Sequence, residues 1–326
     1  MADVSGDDRG QLVLVTALVM ATLFVVLALL VNTTIYTGNV AARSDVSESA
    51  TVINYRTEAL DAAETTLRYV DRNENDTAGG VDAAYRRMND SLRRGVGNWS
   101  DDAAAHDAFS GASTRTRVVD ATNGTRIAQA NASRNLSAPD GAANWTLANA
   151  TGVRDLTFAL DATSLATVSN GENESDLLDS GAFRANLTDS AGTRSVFVYE
   201  RSDGDAGVTV RGTDGSLTTC GPVTGGTVTL DVEARTVDGA ACPALSQFDE
   251  GGDPFDLSFD GADAAAGTYS VVVDREVDDA AVNQSLPLDS GAPFRTAALY
   301  DATVRVTYHG PDTYYEAETE VPDAGA

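Results

Sequence analysis

The residue types that most often perform catalysis are scarce in this sequence of 326 residues. It contains two histidines, His106 and His309, and no lysine, because all 22 basic residues are arginine. General bases and Schiff-base nucleophiles are therefore few. Glycine-rich phosphate loops and the H-E-x-x-H, G-x-S-x-G and C-x-x-C motifs are absent. The sequence predicts no catalytic residue, no metal site and no cofactor, and it favours a protein that is not an enzyme.

Cys220 and Cys242 are the only cysteines. Two cysteines without histidines close by in the sequence are too few for a closed zinc site. A disulfide between them would close a loop of about 20 residues and would contribute on the order of 3 kcal/mol. We predict this disulfide, and two free buried thiols are the alternative.

The segment from Leu12 to Val31 is apolar and carries no charge. A helix with a rise of about 1.5 Å per residue spans the hydrocarbon core of a bilayer over that length. A cleavable secretory signal would have a positive start and a shorter apolar run, whereas this chain begins with three aspartates and a single arginine. We therefore predict a retained transmembrane helix over residues 11–31, in contact with membrane lipid.

The residues Arg9-Gly10-Gln11 stand immediately before this apolar segment. The arrangement resembles the class III signal of archaeal type IV pilins and archaellins, and GDDRGQLVLV and NTTIYTGNVAAR resemble haloarchaeal single-span, pilin-like membrane proteins. The resemblance implies a leader over residues 1–10 that prepilin peptidase removes between Gly10 and Gln11. It also implies self-association, or association with other pilin-like subunits, through the N-terminal helix. Many pilins carry a glutamate where this chain has Val15.

The charge balance indicates the environment of the protein. There are 49 acidic residues against 22 arginines, and the formal net charge is -27. This composition is typical of proteins from an extreme halophile. The pilin resemblance described above implies that the organism is a halophilic archaeon. In molar salt the Debye length is about 3 Å, so the repulsion between acidic side chains is screened. The acidity argues against nucleic acid as a partner, since binding phosphates needs clustered basic residues.

Asn-x-Ser/Thr sequons recur along the chain and favour an extracellular position for everything after the membrane helix. A single sequon is weak evidence in a chain so rich in Asn, Ser and Thr. We take six of them as candidate glycosylation sites: Asn75, Asn98, Asn123, Asn144, Asn186 and Asn283. The sequence thus predicts a single-pass glycoprotein at the cell surface, with its C-terminal head outside the cell.

The chain after the membrane helix divides into three parts. Residues 32–74 are predicted to form a helical stalk, and residues 75–112 a second helical segment and linker. The stalk carries an apolar stripe at Val46, Ile53, Leu60 and Leu67, spaced seven residues apart. This stripe would pack against the head of the same chain, against another subunit, or against both. In the second segment the helix is predicted over Val81 to Arg94. Its four arginines either pair with nearby Asp and Glu side chains or form a docking face for an acidic partner or a glycan; they are Arg86, Arg87, Arg93 and Arg94.

Residues 113–326 are predicted to form a β-rich head, because period-2 apolar runs alternate with turn residues. Asn123-Gly124 is the strongest hairpin signal, between predicted strands Arg115 to Asp120 and Thr125 to Ala130. The other predicted strands are Val153 to Leu160, Arg194 to Glu200, Gly207 to Arg211, Thr227 to Val237, Phe255 to Phe259, Gly267 to Asp274, Ala297 to Tyr308 and Thr313 to Val321. The fold class is then α+β: a transmembrane helix that continues into a stalk, followed by a mainly antiparallel β-sandwich head.

Three functions remain compatible with the sequence. The first is a minor or accessory pilin-like subunit with a role in assembly or adhesion. The second is a signal-anchored surface module that binds an external ligand and has no part in a filament. The third is an anchored hydrolase, which the scarcity of catalytic residues disfavours.

Overall fold

The computed structural model describes residues 49–169, 173–248 and 254–322. The predicted leader with Arg9, Gly10 and Gln11, the predicted membrane helix and the first part of the stalk lie outside these ranges. Within the described ranges, no helix combines the length and the apolar composition that a membrane crossing needs. The described chain is α+β, with two helices packed on a mostly antiparallel β-sandwich.

Helix α1 covers residues 49–73 and helix α2 covers Val81–Asp107. At the end of α1, Asn75 donates from Nδ2 to the carbonyl of Asp71 at 2.8 Å, which satisfies a terminal carbonyl. Gly80, with φ 97°, precedes α2 in a conformation that favours glycine. A 3₁₀ turn follows α2 and ends at Gly111, which has φ 82°. The two helices therefore form a hairpin that leads directly into the first strand.

The strands form two sheets. The strands are β1 Ser113–Gln129, β2 Trp145–Thr151, β3 Val153–Asp161, β4 Thr167–Val168, β5 Phe183–Asp189, β6 Gly192–Arg201, β7 Ala206–Arg211, β8 Leu217–Thr219, β9 Thr227–Asp231, β10 Thr236–Val237, β11 Ala240–Ala241, β12 Phe255–Asp260, β13 Gly267–Val273, β14 Phe294–His309 and β15 Tyr314–Val321. The first sheet, of eight strands, has the order β11-β10-β9-β3-β13-β1-β14-β15, and the second has the order β2-β12-β5-β6-β7-β8, with β4 parallel to β6. A short helix, α3, covers Glu174–Asp179.

Two hydrophobic cores lie on opposite sides of the eight-stranded sheet. The sandwich core lies between the two sheets and contains Phe158, Phe183 and Phe259. The helix–sheet core lies between the helical hairpin and strands β1, β14 and β15. Strand β1 serves both cores, with Val118 in the helix–sheet core and Ile127 in the sandwich core, and it pairs with β14 over almost its whole length. The two helices therefore pack directly on the head.

The predicted stripe on the first helix differs from the face that is buried. Ile53 is 63% exposed, whereas Leu67 is buried. The buried residues of α1 are Val52, Tyr55, Ala59, Ala63, Leu67 and Val70. Val46 lies outside the described residues. With 3.6 residues per turn, the rest of the predicted stripe lies about 60–100° from the centre of the buried face. The alternative in which α1 packs against its own head is confirmed, and the contact combines two alanines with larger apolar residues.

The hairpin predicted at Asn123-Gly124 is wrong, because both residues lie inside the continuous strand β1. The Asn-Gly pair instead coincides with an irregularity in the pairing of β1 with β14, where the register shifts between Thr122 and Asn123. Gly124 is needed there for close packing. A Cβ atom at Gly124 would lie 2.5 Å from the carbonyl oxygen of Val273 and 3.0 Å from the Cβ of Tyr300.

Several other elements differ from the prediction. The second helix continues past Arg94 to Asp107, and the strand predicted over Thr227 to Val237 is split into β9 and β10 by a turn. Residues 133–149 and 164–180 look like polar loops in sequence, yet they contain most of β2 and all of α3. Strand β5 was not predicted at all. The remaining predicted strands lie within one to three residues of the observed bounds.

The predicted disulfide between Cys220 and Cys242 is confirmed, with 5.5 Å between the Cα atoms. Cys220 follows β8 at one edge of the second sheet, and Cys242 follows β11 at one edge of the first sheet. Both sulfur-bearing side chains are buried in the sandwich core. The bond therefore connects the two sheets at an edge where the strands are only two or three residues long.

Candidate functional site

A buried ion pair joins helix α1 to the sheet. Arg154 on β3 donates from Nη2 to Asp71 Oδ2 at 2.5 Å, and the two side chains are only 7% and 5% exposed. The other carboxylate oxygen, Asp71 Oδ1, accepts from the backbone N–H of Leu299 at 2.7 Å. Arg154 also donates to the carbonyls of Leu299 and Tyr300 on β14. One guanidinium thus connects α1, β3 and β14.

A β-bulge places Arg154 where it can meet the helix. Arg154 and Leu156 are two residues apart, so both would face the same side of an unbroken strand. Asp155 has φ 53°, and the register between β3 and β13 shifts there. Leu156 therefore enters the sandwich core while Arg154 contacts Asp71 on the opposite face.

Further charged side chains extend this pair toward solvent. Asp155 contacts Arg154 through its carboxylate, and its backbone N–H donates to Glu233 Oε2 at 3.1 Å. Arg68 on α1 lies 3.4 Å from Glu233 Oε1 and 2.6 Å from Glu64 Oε1. The result is a network of carboxylates and arginines across α1, β3 and the turn after β9.

Burial changes the titration of this network. It raises the pKa of Asp71 to about 6, although Arg154 and the Leu299 N–H act in the opposite direction. Burial also raises the pKa of Glu233 to about 7, and the negative charge of Asp155 adds to the effect. Burial opposes the charge of Arg154, but Asp71 and Asp155 raise its pKa on balance. A pKa of about 6 leaves Asp71 mostly ionised at neutral pH, so the pair with Arg154 is charged and fixes the helix to the sheet.

The arrangement suits a rigid joint better than a reaction centre. The acidic groups of the network are paired with arginines, and the hydroxyl of Ser270, which lines the same cavity, accepts from Arg126 Nε at 2.9 Å. Among the described residues, no group of three or more His, Cys, Asp and Glu side chains is arranged to hold a metal ion. Of the two histidines, His309 lies edge-to-face with Tyr314, with 5.9 Å between the ring centroids.

The six candidate sequons fall into three groups. Asn98 and Asn144 have exposed side chains. Asn75, Asn123 and Asn283 are half-buried, and each donates from Nδ2, the atom to which a glycan would be attached, to a neighbouring protein oxygen. Asn186 is buried and donates to Asp260 at 2.9 Å while it accepts from Ser195. A glycan at Asn186 would require these bonds to break, so Asn98 and Asn144 are the sites that best fit the folded head.

The arginines of α2 act mainly within the protein. Arg87 lies 3.6 Å from Glu74 Oε2, which confirms the predicted pairing with a nearby carboxylate for this residue. Arg93 donates instead to the carbonyl of Val118 at 2.8 Å, and Arg94 to that of Asp90 at 3.2 Å. These bonds connect α2 to the preceding loop and to β1.

Sequence reasoning missed the Asp71–Arg154 pair. The two residues are 83 positions apart, and each lies in a segment with many other charges, so no local pattern distinguishes them. The only available signal was that Asp71 falls near the end of a helix with an apolar face.

Comparison with protein-family models, with curated proteins and with solved structures finds no match to this chain.

Proposed function

We propose that this chain is a pilin-like, membrane-anchored extracellular subunit of a halophilic archaeon, minor or accessory, with a structural role in assembly or adhesion. The observation that carries the proposal is the attachment of α1 to the head. Helix α1 follows the apolar segment in the chain, and six of its residues are buried against α2 and the sheet. A subunit held by an N-terminal helix needs such an attachment, because any force on the head passes through it.

The buried ion pair supports this role. Apolar contacts hold α1 on the head but specify its position only loosely, because the hydrophobic effect has no direction. The bonds from Asp71 to Arg154 and to the Leu299 N–H are directional. They set both the rotation of the helix and its position along the sheet.

The processing motif supplies the other support. Arg9-Gly10-Gln11 stands next to the apolar segment, where prepilin peptidase acts on proteins that this sequence resembles. Removal of the leader would leave Gln11 at the N-terminus and the membrane helix on the protein. The partners would be membrane lipid, the peptidase, and other subunits that contact the N-terminal helix.

A second function is favoured by one observation, a groove of about 410 Å³ on the outer face of the second sheet. It is lined by polar side chains such as Asn186 and Thr193 and would suit a signal-anchored module that binds an external ligand. Its two arginines, however, are already paired: Arg184 with Asp260 at 2.8 Å, and Arg211 with Glu174 at 2.7 Å. The groove therefore offers few free charges to a ligand.

Processing separates the two functions. The protein from native membranes should begin at Gln11, and Gly10→Val should leave the leader attached, because a larger residue then precedes the scissile bond. Gly6→Val is the matched control, since it enlarges another glycine of the same leader away from the cut, and it should be processed normally. N-terminal sequencing and intact mass measure each outcome.

A mature wild-type protein that retains residues 2–10, in cells that process their other pilins, would contradict the pilin-like function. It would favour the signal-anchored surface module. Equal processing of the Gly10→Val and Gly6→Val proteins would show that a protease other than prepilin peptidase makes the cut.

A further inference from the structure

A cavity of about 190 Å³ lies beside the Asp71–Arg154 pair, between α1 and the outer face of strands β1, β3 and β13. Arginines come to it from two elements: Arg68 and Arg72 from α1, and Arg126 from β1. Hydroxyl groups of Thr157 and Ser270 line the sheet side. The cavity is thus polar and concave, and three arginines line it together with Asp71 and Asp155.

The carboxylates beside the cavity are paired with other arginines. Asp71 and Asp155, which also line it, are paired with Arg154, and Arg68 is paired with Glu64 and Glu233. In the ranges that the structure describes, neither Arg72 nor Arg126 has a carboxylate within ion-pair distance. Burial lowers the pKa of Arg126, and the positive charge of Arg72 lowers it further, whereas the charges of Asp71 and Asp155 act in the opposite direction. Within the described ranges, Arg72 and Arg126 therefore share the cavity without an ion pair of their own.

A hydrogen bond fixes the position of Arg126 in the wall of the cavity. Arg126 is half-buried and donates through Nε to Ser270 Oγ at 2.9 Å. This bond orients the guanidinium, and it leaves the hydroxyl hydrogen of Ser270 available to another acceptor, since a hydroxyl is a donor as well as an acceptor.

We propose that this cavity binds a small oxyanion of the phosphate and sulfate class between the guanidinium groups of Arg72 and Arg126. The planar fork of arginine matches the oxygens of such an anion, and bonds between two charged groups are the strongest hydrogen bonds in proteins. Ser270 and Thr157 supply neutral donors. The carboxylates of Asp71 and Asp155 face the same cavity, so the anion lies toward Arg72 and Arg126 and away from the Arg154 pair. The site does not depend on the pilin-like function.

Calorimetric titration of inorganic phosphate into the full-length, detergent-solubilised protein, in potassium chloride at constant ionic strength, tests the proposal. We expect saturable binding that sulfate competes away. Arg72→Gln and Arg126→Gln should each weaken the affinity by about tenfold or more, since each removes a hydrogen bond to a charged group. Arg94→Gln, which removes an arginine on the exposed face of α2, is the matched control and should bind phosphate as the wild type does.

Arg72 is exposed, so its replacement leaves the fold intact and decides the question even if Arg126→Gln fails to fold. Absence of saturable binding in the wild type would overturn the proposal, as would equal affinity in the wild type and the Arg72→Gln protein. Phosphate and sulfate also stabilise proteins in general, because they are excluded from the protein surface. That effect would be the same in all variants and would not saturate with phosphate concentration, so it is distinguished from binding at this site.

Discussion

The two cores on either side of the eight-stranded sheet are built from different residues. In the sandwich core, Phe259 packs against four other aromatic rings, those of Trp145, Phe158, Phe183 and Tyr269, with centroid distances of 5.0–5.8 Å. In the helix–sheet core, many of the fully buried positions are alanines, which are Ala59, Ala63, Ala84, Ala297 and Ala302. The sandwich core is centred on a cluster of aromatic rings. Alanine has a larger share of the helix–sheet core, where it lies among larger side chains such as Leu67, Met88 and Leu92.

Buried polar groups also hold the helix–sheet core together. In this core, Tyr85 donates from its hydroxyl to the carbonyl of Gly124 at 2.9 Å and accepts from the backbone N–H of Val277, also at 2.9 Å. Asp71, which is buried in the same region, accepts from the backbone N–H of Leu299. An alanine buries less area than an aromatic ring does, so each alanine contact contributes less to the hydrophobic effect. We therefore expect directional bonds to contribute more to the helix–sheet core than to the sandwich core.

The largest expected effect is in the sandwich core. Phe259→Ala should lower the free energy of unfolding by about 3–5 kcal/mol, because it removes a fully buried ring and leaves a cavity among four others. Chemical unfolding of the full-length protein in molar potassium chloride measures the change. Phe109→Ala is the control, since Phe109 is 93% exposed, and it should unfold as the wild type does. Equal effects of the two substitutions would show that the aromatic cluster does not hold the sandwich.

A smaller effect is expected from the loss of the buried hydrogen bonds that connect Tyr85 on α2 to the rest of the head. Tyr85→Phe should lower the free energy of unfolding by about 1–3 kcal/mol, because the Val277 N–H and the Gly124 carbonyl lose their buried partner. Tyr69→Phe is the control, since Tyr69 lies on α1 with 60% of its surface exposed. If both variants have the stability of the wild type, the helix–sheet core does not depend on directional bonds and the contrast between the two cores fails.

The smallest effect concerns Glu233 and depends on pH. The pKa of Glu233 is raised from its ordinary value of 4.5 to about 7 in the folded protein, chiefly by burial. The folded state therefore holds this proton more tightly, and the associated stability is present below pH 4.5 and lost as the pH rises through about 7. Glutamine cannot lose a proton, so Glu233→Gln removes this dependence.

At about pH 8 the Glu233→Gln protein should be more stable than the wild type by on the order of 1 kcal/mol, with partial exposure of Glu233 taken into account, and the difference should shrink by about pH 5. Unfolding curves at the two pH values measure it. A Glu233→Gln protein that is less stable than the wild type at the higher pH would mean that the contacts with Arg68 and the Asp155 N–H outweigh the cost of burying the charge.

The sequence by itself determined which segments are strands where the side-chain pattern is local. Val153–Asp161 and Gly267–Val273 each alternate along a strand, and their bounds were predicted to within one residue because period 2 needs no information from the rest of the chain. The disulfide was predicted for a similar reason, since two cysteines allow only one pairing within the chain. The sandwich class followed from many short strands without helices between them.

Tertiary structure alone decided what lies far apart in sequence. Asn123-Gly124 has the local signal of a hairpin turn, but β1 continues through it because β14 pairs with β1 before, at and after these two residues. Gly124 must also fit closely against Val273 and Tyr300. Asp71 and Arg154 meet only because a bulge turns Arg154 toward α1. The sequence does not distinguish a charged residue that faces water from one that pairs with another charge in the interior. The burial of Asp71 and its pairing with Arg154 depend on how the whole chain packs, and this pair attaches α1 to the head.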